Sequence, residues 1–154
     1  MNNEITWHCK PFAALTPTEL YDILQLRSTV FVVEQNCVFL DLDGKLDKES
    51  YHLFAYQNDA LAACCRLMDA DIAFANRASI GRVANAAAVR GSGVGKLMMT
   101  KAIETCRELF GPKPLRIGAQ FYLKKWYESL GFVSCNDNYL EDDIEHTHME
   151  LSFE

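Results

Sequence analysis

Arg90-Gly91-Ser92-Gly93-Val94-Gly95 is the stretch that decides the fold of this chain. An apolar run typical of a strand precedes it at residues 79–84, and a segment typical of a helix follows it at residues 94–110. A glycine-rich turn between strand and helix exposes unpaired backbone N–H groups at the positive end of the helix dipole. The stretch therefore predicts a site for phosphate or pyrophosphate.

Two common nucleotide-binding motifs do not match this stretch. A P-loop requires glycine at position 90 and Ser or Thr at 97, where the chain has Arg90 and Leu97. A dinucleotide fingerprint requires its third glycine at position 96 or 98, where the chain has Lys96 and Met98. The pattern that remains is Arg-x-x-Gly-x-Gly, and a glycine-rich turn without a ligand stays open as an alternative.

Composition narrows the function classes. A length of 154 residues predicts one domain, residues 1–154. The net charge of −6 argues against nucleic-acid binding and favours a cationic partner. The sequence has no apolar run of membrane-spanning length and no signal pattern at its N-terminus, so we expect no membrane association. Six cysteines without a Cys-x-x-Cys pair are typical of reduced thiols, and we expect a cytoplasmic protein.

Hydrophobic periodicity predicts a mixed α/β order, β-α-β-β-β-α-β-α-β-β. The first helix is predicted to begin at Thr16, because Thr16-Pro17-Thr18-Glu19 combines a capping residue, a helix-starting proline and a capping box. We expect parallel pairing near the glycine loop. The predicted strands lie at residues 5–10, 51–56, 60–68, 79–87, 115–120, 132–135 and 148–153, and the later helices at residues 94–110 and 121–130.

A second motif lies about 30 residues beyond the glycine loop, at Lys125-Trp126-Tyr127-Glu128-Ser129-Leu130-Gly131-Phe132. The two motifs together resemble the GNAT superfamily of N-acetyltransferases. Residues 27–53, 80–83, 119–120 and 140–149 further resemble the ElaA-like branch of that family. The resemblance implies the GNAT fold, a central mixed twisted sheet of about seven strands flanked by about four helices. The branch usually has Gly where this chain has Asp143 and Pro where it has Glu145.

The resemblance also implies that the glycine loop binds the pyrophosphate of acetyl-CoA, the co-substrate. Backbone N–H groups would hold the pyrophosphate, and glycine lets the backbone approach closely because it has no Cβ. Strand residues just before the loop would offer backbone groups to the pantetheine arm. The implied cofactor-binding residues are Val83, Asn85, Arg90, Gly91, Ser92, Gly93, Val94, Gly95 and Lys96.

Acetyl transfer to an amine needs a group that stabilises the leaving thiolate and one that removes a proton from the amine. Tyr127 matches the position of the family's general acid, although a hydrogen bond or a packing role is the alternative. Four side chains are candidates for the base: Glu34, His52, Glu141 and His146. We expect Tyr127, Glu34 and His146 to be catalytic. The expected substrate-binding residues are Glu34, Asp41, Asp43, His52, Gln120 and Glu141.

Two other kinds of chemistry are less well supported by the sequence. His146 and His148 lie two residues apart on a predicted strand, so they point the same way, but the sequence fixes no third ligand and we expect no metal. Cys37 has no neighbouring group that would lower its pKa, which argues against covalent catalysis.

The sequence thus predicts transfer of an acetyl group from acetyl-CoA to a primary amine of a small molecule or protein. The amine would attack directly in a ternary complex, and the acidic segments favour a cationic acceptor. An acyl-CoA-binding module without turnover, and an interaction protein with an empty loop, are the alternatives. Edge strands near the C-terminus could support a homodimer.

Overall fold

A computed structural model describes residues 4–153 of the chain. Within these residues the chain forms eight strands and three α-helices, joined by short 3₁₀ turns. The strands are β1 (Ile5–Pro11), β2 (Tyr51–Gln57), β3 (Ala60–Met68), β4 (Ser79–Asn85), β5 (Leu115–Gln120), β6 (Val133–Ser134), β7 (Tyr139–Glu141) and β8 (Ile144–Leu151). The helices are α1 (Pro17–Arg27), α2 (Val94–Phe110) and α3 (Lys124–Ser129). No helix in this part of the chain is long and apolar enough to cross a membrane.

The strands form two antiparallel groups that meet at one point. The first group has the order β1-β2-β3-β4, and the second has the order β5-β8-β6 with β7 also paired to β8. A parallel bridge between Ala78 and Leu115 joins the two groups. The N–H of Ala78 donates to the carbonyl of Pro114 at 3.1 Å, and the N–H of Arg116 donates to the carbonyl of Ala78 at 2.9 Å. This bridge lies at the start of β4, at the far end of the strand from the glycine loop, so the parallel pairing predicted near that loop is not found there among the described residues. Beyond this bridge β4 and β5 diverge, and a cleft opens between them.

The first sheet is covered by a helix on each face. Along β2, Leu53 packs into the core beneath α2, while its neighbour Phe54 packs into the core beneath α1. In β3, Cys65 and Cys64 divide between the two cores in the same way. Successive side chains of a strand point to opposite faces, so these continuous apolar runs are what a sheet buried on both faces requires.

Helix α1 begins as its sequence predicts. The Thr16 Oγ1 accepts a hydrogen bond from the N–H of Glu19 at 3.1 Å, and a Glu19 carboxylate oxygen accepts one from the N–H of Thr16 at 2.9 Å. Both hydrogen bonds of the capping box are therefore present. The helix continues beyond Arg27 as a π-helical segment, Ser28–Glu34, which carries Glu34 to the edge of the cleft.

The C-terminal third departs from the prediction in its details. The helix expected at residues 121–130 is a 3₁₀ turn, Phe121–Leu123, followed by the short helix α3. The last strand begins at Ile144 rather than at residue 148, and β7 was not predicted. β7 and β8 form a hairpin whose turn residues, Asp142 and Asp143, have φ values of 50° and 64°. Positive φ at both central residues is the geometry of the tight turns that favour Asn, Asp and Gly.

Replacing Asp143 with glycine is expected to stabilise the protein by about 0.5–1 kcal/mol, because an L-residue is strained at positive φ and glycine is not. Urea unfolding measures the free energy of unfolding. Asp143→Asn is the matched control, since it removes the charge but keeps a side chain suited to this conformation, and it should change stability by less than about 0.3 kcal/mol. An equal gain in both variants would assign the effect to the charge instead.

Candidate active site

The cleft between β4 and β5 has a volume of about 720 Å³ and is lined by elements from both halves of the chain. One wall comes from the π-helical segment and the loop that follows it, and the other from the β7–β8 hairpin and α3. The sequence-predicted residues that line the cleft are Glu34, Val83, Asn85, Arg90, Gln120, Tyr127, Glu141 and His146. The structure thus brings together the three expected catalytic residues.

The glycine loop leads from the end of β4 into α2 beside the cleft. Gly91 and Gly93 have φ values of 81° and 90°, which glycine adopts without strain, and no atom lies within 4 Å of a Cβ built on either residue. Leu97 makes the first helical bond, from its N–H to the carbonyl of Gly93 at 3.1 Å. The earlier N–H groups of this turn have no acceptor within the helix. Apart from the N–H of Ser92, which donates to the carbonyl of Val89 at 3.2 Å, these N–H groups and the open space beside the two glycines are suited to an anion.

The base of the loop lies directly against the end of β4. A Cβ on Gly95 would stand 3.0 Å from Nδ2 of Asn85, so this glycine allows the helix to approach the strand. The Oδ1 of Asn85 is buried, and it has no hydrogen-bond partner among the described residues. An unused acceptor therefore lies buried beside the loop. Around the loop, Ser92 and Lys96 are exposed, whereas the Val94 side chain is buried in the core.

A β-bulge interrupts β4 where it lines the cleft. Cys64 pairs with Ala84 and Arg66 pairs with Gly81, so that Arg82 and Val83 together stand opposite Cys65. Arg82 has a φ of 49°. A bulge leaves backbone groups outside the ladder, and they remain available to a ligand that lies along the strand.

Arg90 ties the glycine loop to the opposite wall. Its Nε and Nη2 donate to the carbonyl of Asn85 at 3.2 and 2.9 Å, and Nη2 also forms an ion pair with Glu34. Glu34 was expected to act as a base or a substrate contact, and it does line the cleft. Its carboxylate, however, is already engaged by Arg90. For Glu34 to act on an amine, this ion pair would have to open.

Tyr127 projects from α3 into the cleft and is only 7% exposed. Trp126 and Phe132 pack edge-on against its ring, with centroids 5.0 and 5.9 Å away. Burial raises the pKa of Tyr127 to about 12. The phenol therefore keeps its proton throughout the neutral range and can donate a hydrogen bond.

His146 lies on β8 in the same cleft, and its ring is held in one orientation. Its Nδ1 is 2.7 Å from the carbonyl of Ile144, and because a carbonyl only accepts, Nδ1 carries the proton. The other nitrogen, Nε2, is left as an acceptor and lies 3.6 Å from a Glu141 carboxylate oxygen. Tyr139 stacks on the ring with centroids 5.5 Å apart. This arrangement is suited to accepting a proton.

His148 shares the face of β8 with His146, as the spacing predicts, since Tyr139 stacks on both rings. The Nδ1 of His148 is 2.7 Å from a carboxylate oxygen of Asp137. Residues 4–153 contain no group of three or more His, Cys, Asp or Glu side chains placed to hold a metal ion.

Three residues expected to bind substrate do not line the cleft: Asp41, Asp43 and His52 lie in a network of charged groups behind β4. Asp41 pairs with Arg27 at 3.0 Å and with Arg82 at 2.7 Å. Asp43 pairs with Arg66 at 2.9 Å. These carboxylates neutralise arginines inside the fold, which favours a structural role over the expected contact with substrate.

His52 belongs to the same network through Asp47. Its Nε2 donates to the carbonyl of Asp47 at 2.9 Å, and burial lowers the pKa of His52. The Asp47 carboxylate in turn pairs with Arg27 at 2.6 Å and Arg66 at 3.1 Å. Sequence reasoning did not find this network, because no local pattern indicates which arginine meets which aspartate across the fold.

Comparison with known proteins agrees with this geometry. Residues 30–153 match the family model described as acetyltransferase (GNAT) domain. The chain belongs to the GNAT acetyltransferase family. The resemblance expected from the glycine loop and the Tyr127 motif is thereby confirmed.

Members of the GNAT family with high similarity to this chain include ElaA of Escherichia coli K12, which is 40% identical over 94% of this chain and 95% of its own length. The crystal structure of E. coli ElaA superposes with a TM-score of 0.88 at 38% identity, covering 97% of this chain and all of that one. An acyl-CoA N-acyltransferase from Pseudomonas aeruginosa superposes with a TM-score of 0.91 at 40% identity, with the same coverage. This GNAT chain therefore has both the expected fold and the expected ElaA-like sequence.

Proposed function

We propose that this protein transfers an acetyl group from acetyl-CoA to a primary amine, by direct attack within a ternary complex. One observation carries the proposal: a single cleft beside an anion-binding loop contains a phenol that retains its proton, Tyr127, and an imidazole with a free acceptor nitrogen, His146. These are the two groups that aminolysis of a thioester needs.

The residues beside the glycine loop fit the donor. Backbone N–H groups from Gly91 to Lys96 would hold the pyrophosphate, since the two glycines with positive φ leave open space there. The pantetheine arm contains amide N–H groups, and the Oδ1 of Asn85, which is buried beside the loop, would accept a hydrogen bond from one of them after its side chain rotates toward the cleft. The bulge at Val83 supplies further backbone groups along the same wall.

The acceptor reacts as a free amine, yet an alkyl ammonium with a pKa near 10 is mostly protonated at neutral pH. His146 Nε2 accepts the first proton and passes it to water, and Glu141 stabilises the imidazolium. The nitrogen then attacks the thioester carbon, so that a C–N bond forms and the C–S bond breaks. The second nitrogen proton neutralises the leaving thiolate, which Tyr127 stabilises by a hydrogen bond.

The acceptor would be cationic, and Glu141 and Gln120 contact it. Both line the cleft, and the Glu141 side chain is 62% exposed, so it is accessible to an incoming ammonium. Glu34 would contact the acceptor only when its ion pair with Arg90 opens. The six cysteines are free thiols, which supports a cytoplasmic setting for this activity.

Two measurements together test the proposal. Calorimetry measures acetyl-CoA binding, and a free-thiol assay measures CoA release across a panel of primary amines. We expect micromolar binding and amine-dependent thiol release. Binding without thiol release on any amine would favour a module that binds acyl-CoA but does not turn it over. Absence of binding would indicate that the loop does not hold CoA at all.

His146→Gln tests the base. Glutamine cannot accept a proton, so we expect kcat/KM to fall about tenfold at pH 7, where water can carry only part of the transfer. The deficit should shrink towards pH 10, because a larger share of the amine is then already free of its proton. His148→Gln is the matched control, since His148 lies on the same strand but pairs with Asp137. A deficit independent of pH would contradict the role of His146 as base.

A further inference from the structure

The cleft has an apolar part and a separate acidic end. Four large side chains, here called the apolar wall, line the cleft from two sides: Phe31, Phe39 and Leu40 from the π-helical segment and the loop that follows it, and Tyr122 from the turn before α3. Leu40 and Tyr122 are 80% and 73% exposed, although they border the same cleft as the two phenylalanines. Apolar groups that converge on one cleft are suited to covering an apolar part of a ligand.

This wall is held in place by the buried charge network. The guanidinium of Arg82 lies over the ring of Phe39, with 5.7 Å between its Cζ and the ring centroid. Arg82 is itself fixed by Asp41, through an ion pair at 2.7 Å and a hydrogen bond to the Asp41 carbonyl at 2.9 Å. The Phe39 ring is therefore positioned before any ligand binds, which reduces the entropy cost of binding.

Negative charge that is free to meet a ligand is confined to one end of the cleft. The two arginines that line the cleft, Arg82 and Arg90, are engaged by Asp41 and Glu34. The remaining carboxylates on its lining are Glu141 and Asp142, which are adjacent residues at the hairpin turn. One ammonium can be matched there, whereas a second one farther along the ligand would lie on the apolar wall, where no carboxylate of the lining pairs with it and part of its hydration is lost.

We propose that the acceptor is a small amphiphilic monoamine, with one ammonium group and an aromatic or branched apolar body. The ammonium lies at Glu141, near His146, and the body lies on the wall of Phe31, Phe39, Leu40 and Tyr122. The inference rests on the proposed function and narrows it, because it disfavours polyamines and polycationic sugars among cationic acceptors.

Matched amines test this inference by thiol release from acetyl-CoA. Phenethylamine has one ammonium and an aromatic body, 1,4-diaminobutane has similar length and two ammonium groups, and ethylamine supplies the head group alone. We expect kcat/KM for phenethylamine to exceed that for each of the others by about tenfold or more, because its ring is removed from water. Equal or higher values for 1,4-diaminobutane would overturn the inference.

The double variant Leu40→Ser, Tyr122→Ser tests the wall directly. Both side chains are exposed, so the fold should survive, and calorimetry with acetyl-CoA checks that the donor site is intact. The advantage of phenethylamine over ethylamine, a ratio that cancels any change in turnover common to both amines, should fall to below about threefold. The control is Val133→Ser, an apolar residue 69% exposed on β6 outside the cleft lining, which should retain the full advantage.

The outcomes separate the inference from the function on which it rests. An advantage that persists in the double variant overturns the apolar wall but leaves amine acetylation standing. Thiol release that is absent with all three amines and with the wider panel overturns the proposed function, and the inference with it.

Discussion

Tyr127→Phe is expected to lower kcat by about 10²-fold or more while leaving acetyl-CoA affinity and thermal stability nearly unchanged. The ring is packed between Trp126 and Phe132, and phenylalanine keeps those contacts. The structure records no hydrogen-bond partner for the hydroxyl among the described residues, so its removal breaks no bond within the fold. The effect should therefore appear in turnover, where the hydroxyl meets the departing sulfur.

The buried environment of Tyr127 decides how it acts. With its pKa raised to about 12 by burial, full proton transfer to a thiolate whose thiol has a pKa near 8.5 is uphill by roughly 5 kcal/mol. A hydrogen bond to the developing negative charge has no such cost and contributes about 3–4 kcal/mol in comparable sites. We therefore assign Tyr127 to thiolate stabilisation rather than to outright protonation, and this contribution accounts for a 10²-fold effect.

Steady-state thiol release gives kcat, and calorimetry gives acetyl-CoA affinity. Tyr122→Phe is the matched control, because it removes a hydroxyl from the same cleft at a side chain that is 73% exposed. That variant should keep kcat within about twofold of the wild type. Wild-type turnover in Tyr127→Phe would show that the Tyr127 hydroxyl takes no part in the mechanism. A fall in acetyl-CoA affinity without a fall in kcat would make it a packing residue.

The parts of the fold predicted correctly are those that depend on neighbours in sequence. The capping box at Thr16 and the helix at Val94–Phe110 each follow from residues within one or two turns. The alternation of Leu53 and Phe54 between two cores likewise follows from the strand period. The hairpin β7–β8 was missed because β7 has only three residues, too few for a period to be visible.

Within the candidate site, the sequence indicates only those residues whose positions match the family resemblance. Tyr127, Glu34 and His146 reach one cleft from three elements, as the family resemblance implies. Asp41, Asp43 and His52 lie outside the cleft lining, which the sequence does not reveal because an acidic, histidine-containing segment has the same composition in a substrate site as in a buried ion network. Pairing over 14 to 41 residues with Arg27, Arg66 and Arg82 distinguishes the two cases, and only the folded chain reveals it.

Arg27→Met is expected to lower the free energy of unfolding by about 3–5 kcal/mol. Arg27 is 1% exposed and pairs with both Asp41 and Asp47. Methionine fills similar volume but carries no charge, so two buried carboxylates lose a partner and are left with only Arg82 and Arg66. Removing one member of a buried charge cluster costs far more than removing a surface charge.

Urea unfolding at pH 7 measures this loss. Arg107→Met is the matched control, since Arg107 is an exposed arginine on α2 that contacts the ring of Phe153. It should cost less than about 1 kcal/mol. A loss of similar size in both variants would mean that the buried network contributes no more to stability than a surface contact does.

The same network predicts how stability depends on pH. Burial raises the pKa of Asp47, but hydrogen bonds and charge from Arg27 and Arg66 outweigh it, so the pKa lies below its usual value. The pKa of His52 is lowered too, chiefly by burial.

Both groups bind protons more readily in the unfolded chain than in the folded protein, so the stability they contribute is present above their unfolded pKa values. It is lost as pH falls, from about 6.5 for His52 and from about 4 for Asp47. In Arg27→Met the Asp47 carboxylate is less stabilised as an anion, so acid unfolding should begin at higher pH than in the wild type. An unchanged acid midpoint would show that Arg27 does not hold these charges.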